Sequence, residues 1–310
     1  MKFFIAGGTG FIGSHLINAL GKGEYAARCL VRTEERALVC KKADFEVAVG
    51  DITDRESLRG KIEGCDIAVH LVGIIEEKGG MTFEKVHIEG TKNLIDEAKK
   101  ANIKHIFYQS ALGASLNSPA KYHKTKAEAE EIVKESGISY TIFRPSLVVG
   151  KGDGFTEKLK ELINLGPFVL VPGSGNAKFQ PIYVEDWVKC FMEVFSDASR
   201  ITHYASRIYE FGGIEHLTYN EIIIQIMEAM NVNKPLVHLP LGAVKISLPL
   251  STITKSIGNL FGKKMPSATK EQLMLLQSDN ICDKDSVKKI FGFTPMPFGD
   301  AVKLFITDSN

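Results

Sequence analysis

The chain has 310 residues, 44% of them hydrophobic and 24% charged, which is typical of one large globular domain or of a domain with a smaller partner. Lys and Arg number 38 against 37 Asp and Glu, so no basic surplus favours nucleic acid as the main partner. The five scattered cysteines form no Cys-x-x-Cys pair, which argues against a disulfide framework or a zinc site and favours free thiols in a reducing cytosol. We expect a cytoplasmic protein, because no stretch has the roughly 18 apolar residues of a membrane span and no signal peptide is recognisable.

Short apolar runs alternate with helical patterns over the first half of the chain. This alternation predicts an α/β fold in which a doubly wound parallel sheet carries helices on both faces. The predicted strands are Lys2–Ala6, Ala27–Val31, Glu46–Val49, Ile67–Leu71, Ile106–Gln109 and Tyr140–Phe143. The predicted helices are near Ile12–Ala19, Arg55–Ile62, Met81–Ala101 and Ala120–Ser136. Ser118 is the expected cap of the last helix, and Gly137 is expected to be left-handed at its end.

The pattern changes after Gly150, where glycine and proline cluster and apolar helices follow from Tyr219 onward. We therefore predict a first domain over residues 1–165 and a smaller, mostly helical C-terminal subdomain over 166–310, with segments near 179–212 returning to the first sheet. The ordinary interpretation of the subdomain is a lid over a substrate. Its apolar helices could also meet a peripheral membrane surface or a protein partner, because lysines are distributed along them at Lys245, Lys255, Lys263 and Lys264.

A glycine-rich turn joins the first strand to the first helix with the spacing Gly7-x-x-Gly10-x-x-Gly13. Glycines there allow a tight turn and let the backbone approach a pyrophosphate, which the amide groups at the helix N-terminus then bind. The turn therefore predicts a nicotinamide dinucleotide as cofactor. Its candidate cofactor-binding residues are Gly7, Thr9, Gly10, Phe11, Ile12 and Gly13.

The end of the second strand reads Leu30-Val31-Arg32 and carries no acidic residue. An acid at this place would hold the ribose 2′-hydroxyl of NAD, whereas an arginine suits the 2′-phosphate of NADP. NADP(H) is therefore favoured over NAD(H), and Arg36 could assist. The alternative is that Arg32 is a solvated surface residue, and Glu34 and Glu35 nearby keep NAD(H) open.

Four further motifs accompany the glycine turn: Asp51-Ile52, Val72-Gly73, Tyr122-x-x-x-Lys126 and Arg144-Pro145-Ser146. Together they resemble the extended and atypical short-chain dehydrogenase/reductases, whose first domain is a Rossmann fold. The resemblance implies that Asp51 and Ile52 lie at the adenine, that Val72 and Gly73 pass beneath its ribose, and that Pro145 lies beside the nicotinamide. It also implies that Tyr122 and Lys126 are the catalytic pair and that Ser110 is the serine at the end of the fifth strand.

Longer stretches are similar to one atypical branch, which contains the NADPH-binding accessory subunit of respiratory complex I and stand-alone bacterial relatives. They include residues 70–76, 82–91, 110–114, 179–186 and 272–280. Three features depart from the extended enzymes. His87 stands where they usually carry Asn, only a short loop separates Ser110 from Tyr122, and Phe179 replaces an arginine of the nucleotide-sugar enzymes.

Tyr122 and Lys126 are four residues apart and so share one face of a helix. We predict that the lysine ammonium lowers the pKa of the tyrosine, the condition for acid–base work. The same lysine can hold the nicotinamide ribose of the cofactor, and Ser110 is expected to bind a substrate oxygen beside the tyrosine. The reaction would be hydride transfer between NADPH and a carbonyl or alcohol of a small molecule. The competing interpretation is a solvated face on which Lys121, Lys124 and Lys126 pair with neighbouring glutamates.

Two functions remain open on the sequence. The first is an NADP(H)-dependent oxidoreductase, or a related nucleotide-sugar epimerase or dehydratase, which the Tyr122–Lys126 pair favours. The second is a non-catalytic module that binds NADPH as a structural or sensing ligand within a larger, possibly respiratory and membrane-associated assembly. His87 and the similarity to the complex I subunit favour the second.

Overall fold

The computed structural model describes residues 1–240 and 269–307. The chain forms two compact units, and each consists of two separate segments. The first unit contains Met1–Pro145 and Trp187–Glu210, and the second contains Ser146–Asp186 and the chain from Phe211 onward. The four lysines predicted to fringe the C-terminal helices, Lys245, Lys255, Lys263 and Lys264, lie outside the described residues.

A seven-stranded sheet in the order β11-β6-β5-β4-β1-β2-β3 forms the centre of the first unit. The neighbouring pairs among β1 to β6 are all parallel. This is the strand order of the doubly wound dinucleotide-binding fold, so the predicted fold class is confirmed. The strands are β1 Lys2–Ala6, β2 Ala26–Val31, β3 Glu46–Val49, β4 Ile67–His70, β5 His105–Gln109, β6 Ser139–Pro145 and β11 Arg207–Phe211.

The four helices predicted for the first unit are all present, although two of them differ in extent or type, and the unit has further helices that were not predicted. The second predicted helix ends at Leu58, because the chain turns at Gly60 with a φ of +68°. The third divides into a π-helical segment over Glu84–Glu89 and a following α-helix. The α-helices are α1 Phe11–Leu20, α2 Leu38–Lys42, α3 Arg55–Leu58, α4 Gly90–Lys100, α5 Lys121–Lys134, α7 Val184–Phe195, which begins in the second unit, and α8 Ala198–Tyr204, with a 3-10 turn over Glu34–Ala37.

The start of α5 differs from its prediction, whereas the turn after it does not. Its cap is Ala120, which supplies no side-chain hydrogen bond. Ser118 instead accepts a hydrogen bond from the backbone N–H of Ala120 at 3.2 Å, so its hydroxyl orders the turn before the helix. Gly137 has a φ of +76°, as the sequence predicted.

Alternate residues of the buried strands fill two cores, because successive side chains of a strand point to opposite faces. On one face, Phe4, Tyr108 and Ile142 belong to a cluster that includes apolar residues of α4 and α5. On the other face, the rings of Phe3 and Phe107 pack against aromatic side chains of α7. The sheet is therefore covered on both sides.

The second unit combines short strands with helices around its own core. Its strands pair as β10 with β7 and β13 with β8, both parallel, and as β12 with β9, antiparallel. They are β7 Val148–Val149, β8 Val169–Pro172, β9 Lys178–Phe179, β10 Ile182–Tyr183, β12 Leu217–Thr218 and β13 Leu236–Leu239. The helices are α6 Gly154–Ile163, α9 Tyr219–Ala229, α10 Lys270–Leu275, α11 Ser286–Phe291 and α12 Phe298–Thr307. Among the described residues, no helix combines the length and apolar character needed to cross a membrane.

Candidate functional site

The glycine turn between β1 and α1 has a geometry that larger side chains would destroy. A Cβ atom on Gly7 would lie 2.9 Å from the backbone carbon of Leu71, and one on Gly13 would lie 2.2 Å from the carbonyl oxygen of Gly7. Gly7 also has a φ of +92°, which disfavours any other residue. Gly10 caps α1 without a side-chain hydrogen bond, so the amide groups of the first helical turn are open to a phosphate. The turn fits a dinucleotide.

A cavity of about 230 Å³ opens beside this turn at the carboxyl ends of the strands. Ligands bind at this edge in doubly wound sheets. The predicted site residues in its wall are Gly7, Thr9, Gly10, Arg32, Asp51, Ile52, Val72 and Gly73. Phe11 and Ile12 are in the first turn of α1, and Gly13 packs against Gly7. Pro145 ends β6, where its carbonyl accepts a hydrogen bond from Leu112 at 2.9 Å.

Two arginines lie in the cavity wall, Arg32 after β2 and Arg36 in the next turn. Within residues 1–240 and 269–307, neither forms an ion pair. Asp51 lies in the same wall, but one of its carboxylate oxygens accepts bonds from the N–H and the hydroxyl of Thr53, both at 2.9 Å. Within the described residues, the wall therefore presents two guanidinium groups that form no ion pair and one carboxylate that is already hydrogen-bonded to Thr53.

Lys126 is 3% exposed, and its ammonium is held at the end of β5. Its Nζ donates to the carbonyl of Gln109 at 2.8 Å and lies 5.1 Å from the centre of the Tyr108 ring. Burial lowers the pKa of Lys126 to about 8, although the nearby Glu130 carboxylate acts in the opposite direction. A Cβ on Gly73 would lie 3.1 Å from this Nζ, so the ammonium lies directly against the cavity wall.

Tyr122 lies one turn before Lys126 and packs among aromatic rings. Its ring is edge-on to His87 at 5.7 Å and to Phe83 at 6.0 Å between centroids. The surrounding protein raises the pKa of the Tyr122 phenol to about 12 by removing water from it. The prediction that Lys126 lowers this pKa is therefore wrong, because desolvation of the phenol dominates.

Ser110 does not present its hydroxyl as the sequence predicted. It is 3% exposed, and its Oγ donates to Glu130, a fully buried carboxylate one turn beyond Lys126 on α5. Arg144 donates two hydrogen bonds to the same carboxylate, one from Nε at 2.8 Å and one from a terminal nitrogen at 2.6 Å. Arg144 also pairs with Glu210 at 2.9 Å. Ser110 is thus part of a buried ionic network, which sequence reasoning missed.

Other cavity residues also escaped the sequence analysis. Ile74, Met81 and Val86 line the cavity, yet as apolar residues they carry no chemical signal in the sequence.

Glu130, which belongs to the buried ionic network, had a detectable signal in the sequence, since it follows Lys126 by four residues on the same helical face. Charge alone had suggested that this glutamate was solvated.

Comparison with known proteins agrees with this geometry. Residues 7–160 match the family of NAD(P)H-binding domains. A ceramide reductase from Caulobacter vibrioides is 30% identical over 59% of this chain and 57% of its own length. Subunit 9 of the alpha subcomplex of mitochondrial NADH dehydrogenase (ubiquinone) from Dictyostelium discoideum is 24% identical over 72% of this chain and 62% of its own. Both alignments therefore span less than two thirds of the relative.

A solved structure shows the same fold over nearly the whole chain. It is an NADPH-dependent quinone oxidoreductase from Escherichia coli, with a TM-score of 0.71 at 18% identity, covering 98% of this chain and 99% of the other. At this identity the likeness concerns the fold alone. The glycine turn and most of the cavity beside it thus lie within the stretch, residues 7–160, that matches the NAD(P)H-binding family.

Proposed function

We propose that this protein is an NADP(H)-dependent reductase that acts on a carbonyl group of a small molecule. The observation that carries the proposal is the position of Lys126, whose ammonium lies against Gly73 in the wall of the dinucleotide cavity. Tyr122 lies one turn away on the same helix. An acid–base pair thus adjoins the site where a dinucleotide would bind.

The charge states of the pair suit proton donation to a carbonyl oxygen. When bound, the dinucleotide supplies a hydride to the carbonyl carbon. With a pKa of about 12, Tyr122 keeps its proton at neutral pH and can donate it to the carbonyl oxygen. With a pKa of about 8, Lys126 is mostly an ammonium at neutral pH, and it lies against the cavity wall where a dinucleotide would bind.

Arg32 and Arg36 support a preference for NADP(H). Each guanidinium can form charged hydrogen bonds to a phosphate, and neither is paired within the described part of the chain. The side chain that would hold a 2′-hydroxyl is missing at the tip of β2, since Arg32 directly follows Val31. Asp51 is engaged with Thr53 instead.

The similarity to a ceramide reductase supports a substrate with an apolar chain. The test is to mix the protein with NADPH and follow the near-ultraviolet absorbance over a panel of short and long-chain aldehydes, ketones and quinones. Tyr122→Phe is expected to lower kcat by roughly a hundredfold or more, because it removes the proton donor. The matched control is Tyr140→Phe, a partly buried tyrosine near the amino end of β6. Tight binding of NADPH without consumption of any panel member would refute the reductase and favour a binding module.

The cofactor preference has its own test. Arg32→Ala is expected to reduce the preference for NADPH over NADH by about tenfold to a hundredfold, the effect of losing a hydrogen bond to a charged group. Arg59→Ala is the control, because Arg59 is exposed and pairs with Glu56 outside this cavity. An unchanged ratio of dissociation constants in Arg32→Ala would exclude this role for Arg32.

A further inference from the structure

His87 is buried at the centre of the candidate site, although it stands where related enzymes usually carry asparagine. It is 1% exposed and belongs to the π-helical segment Glu84–Glu89. Such segments are rare and occur frequently at functional sites. Its Nε2 lies close to Gly73 in the cavity wall, since a Cβ there would be 3.6 Å from it.

The hydrogen bonds of His87 determine which ring nitrogen carries the proton. The backbone N–H of Ile74 donates to Nε2 at 3.2 Å, so Nε2 must be unprotonated. Nδ1 therefore carries the hydrogen and donates it to Thr125 Oγ1 at 2.9 Å. The Thr125 hydroxyl donates in turn to the carbonyl oxygen of Lys121 at 2.9 Å or of Tyr122 at 3.1 Å. In every bond of this chain the donor and the acceptor are therefore fixed.

The backbone of His87 takes part in a second set of hydrogen bonds. The Thr91 hydroxyl donates to the carbonyl oxygen of His87, so its own oxygen must accept the bond from His70 Nε2 at 3.0 Å. His70 ends β4 and Thr91 lies in α4. The residue is consequently held by two strictly directed sets of hydrogen bonds.

These contacts connect the two parts of the site that must work together. Ile74 lines the dinucleotide cavity, and Thr125 lies between Tyr122 and Lys126 on α5. We propose that His87 is a positioning residue that fixes the Tyr122–Lys126 turn of α5 against the cavity wall at Ile74. The inference rests on the proposed function only for the roles of Tyr122 and Lys126.

A proton relay through His87 conflicts with the same bonds. A backbone N–H only donates and the carbonyl of Lys121 only accepts, so neither end of the chain can reverse. Burial, with the positive charge of Lys126 nearby, also lowers the pKa of His87 to about 2. The imidazole stays neutral while it links the wall to the helix.

Two substitutions at His87 separate its two bonds. Asparagine places its amide near the position of Nδ1, whereas glutamine reaches the position of Nε2. His87→Asn is therefore expected to keep the Thr125 bond and lose the Ile74 bond, which raises the dissociation constant for NADPH about fivefold to tenfold with a smaller effect on kcat. His87→Gln is expected to do the reverse and lower kcat by a similar factor.

Thr125→Val should reproduce the effect of His87→Gln, and the double variant should add little to it, since both changes remove the bond between His87 and Thr125. The control is His105→Gln. His105 is also buried and bonded to two hydroxyls, but it lies at the amino end of β5. The His105→Gln variant should have a lower melting temperature, but it should not affect the NADPH dissociation constant and kcat differently.

The inference is overturned if His87→Asn and His87→Gln change the dissociation constant and kcat in parallel, or change neither. If the wild-type protein turns over no substrate, the proposed function fails, but the NADPH dissociation constants still test the bond to Ile74. Nitrogen NMR of the histidine rings provides a second readout. It should show His87 with its proton on Nδ1, and a proton on Nε2 would overturn the inference.

Discussion

Arg144 offers an internal comparison between a buried and an exposed ion pair. It binds Glu130, which is fully buried, and Glu210, whose side chain is 47% exposed. In Glu130→Gln, an amide N–H₂ replaces one oxygen, so a donor faces the donors of Arg144 and the positive charge loses its buried partner. Removing one member of a buried pair costs about 3–5 kcal/mol. Removing a partner of an exposed pair costs about 0–1 kcal/mol.

We expect Glu130→Gln to lie near the lower limit, at about 3 kcal/mol, because Arg144 keeps Glu210 and some contact with water. For a domain of this size the melting temperature would fall by about 6–12 °C. Glu210→Gln should lower it by no more than about 4 °C. Thermal unfolding followed by calorimetry, with and without NADPH, measures both. Equal shifts in the two variants would show that burial does not determine the strength of these pairs.

Three further outcomes are expected. Burial lowers the pKa values of His70, His87 and His105 from 6.5 to about 3, 2 and 4. Just below pH 6.5 these three histidines therefore take up protons in the unfolded chain but stay neutral in the folded protein. Stability measured by urea unfolding should then fall by about 4 kcal/mol between about pH 7.5 and about pH 5.5; a flat profile would contradict the burial of His70, His87 and His105. Ser110→Ala should destabilise the protein by about 1.5–3 kcal/mol yet reduce turnover far less than Tyr122→Phe, because its hydroxyl serves Glu130; equal kinetic losses would restore Ser110 as a catalytic residue. Gly13→Ala should abolish NADPH binding in titrations, since its Cβ would overlap the carbonyl of Gly7, whereas Gly154→Ala has open space and should bind normally.

The strands of the sheet could be predicted because each is a short apolar run, as parallel strands buried on both faces require. Five of the six predicted strands have bounds within one residue at each end of those in the structure, and β1 and β3 agree fully. The π-helical segment was missed, because a helix-like pattern over Met81–Ala101 does not distinguish π from α hydrogen bonding. Its distinguishing feature is the inward-facing His87.

The chemistry of the site was less predictable than its position. The cofactor turn depends on local spacing, and the structure places its glycines in contact as that spacing requires. The partner of Ser110 depends on a helix twenty residues away. The interpretation of α5 as a solvated charged face is also only partly right, because Lys121 is exposed and paired with Glu77 whereas Lys126 is buried. Sequence pattern identifies charged residues but not the burial that sets their pKa values.

The discontinuous path of the chain has a consequence for synthesis. The first unit needs Trp187–Glu210 in addition to Met1–Pro145, and the rings of Trp187 and Phe191 cover Phe107 on β5. Until the ribosome has released Trp187–Glu210, β6 is the edge strand of the growing sheet. The face of the sheet that carries Phe107 is also uncovered until then. Uncovered edges and apolar faces attract other nascent chains. We therefore expect the emerging polypeptide to depend on chaperones after its cofactor turn has already been made.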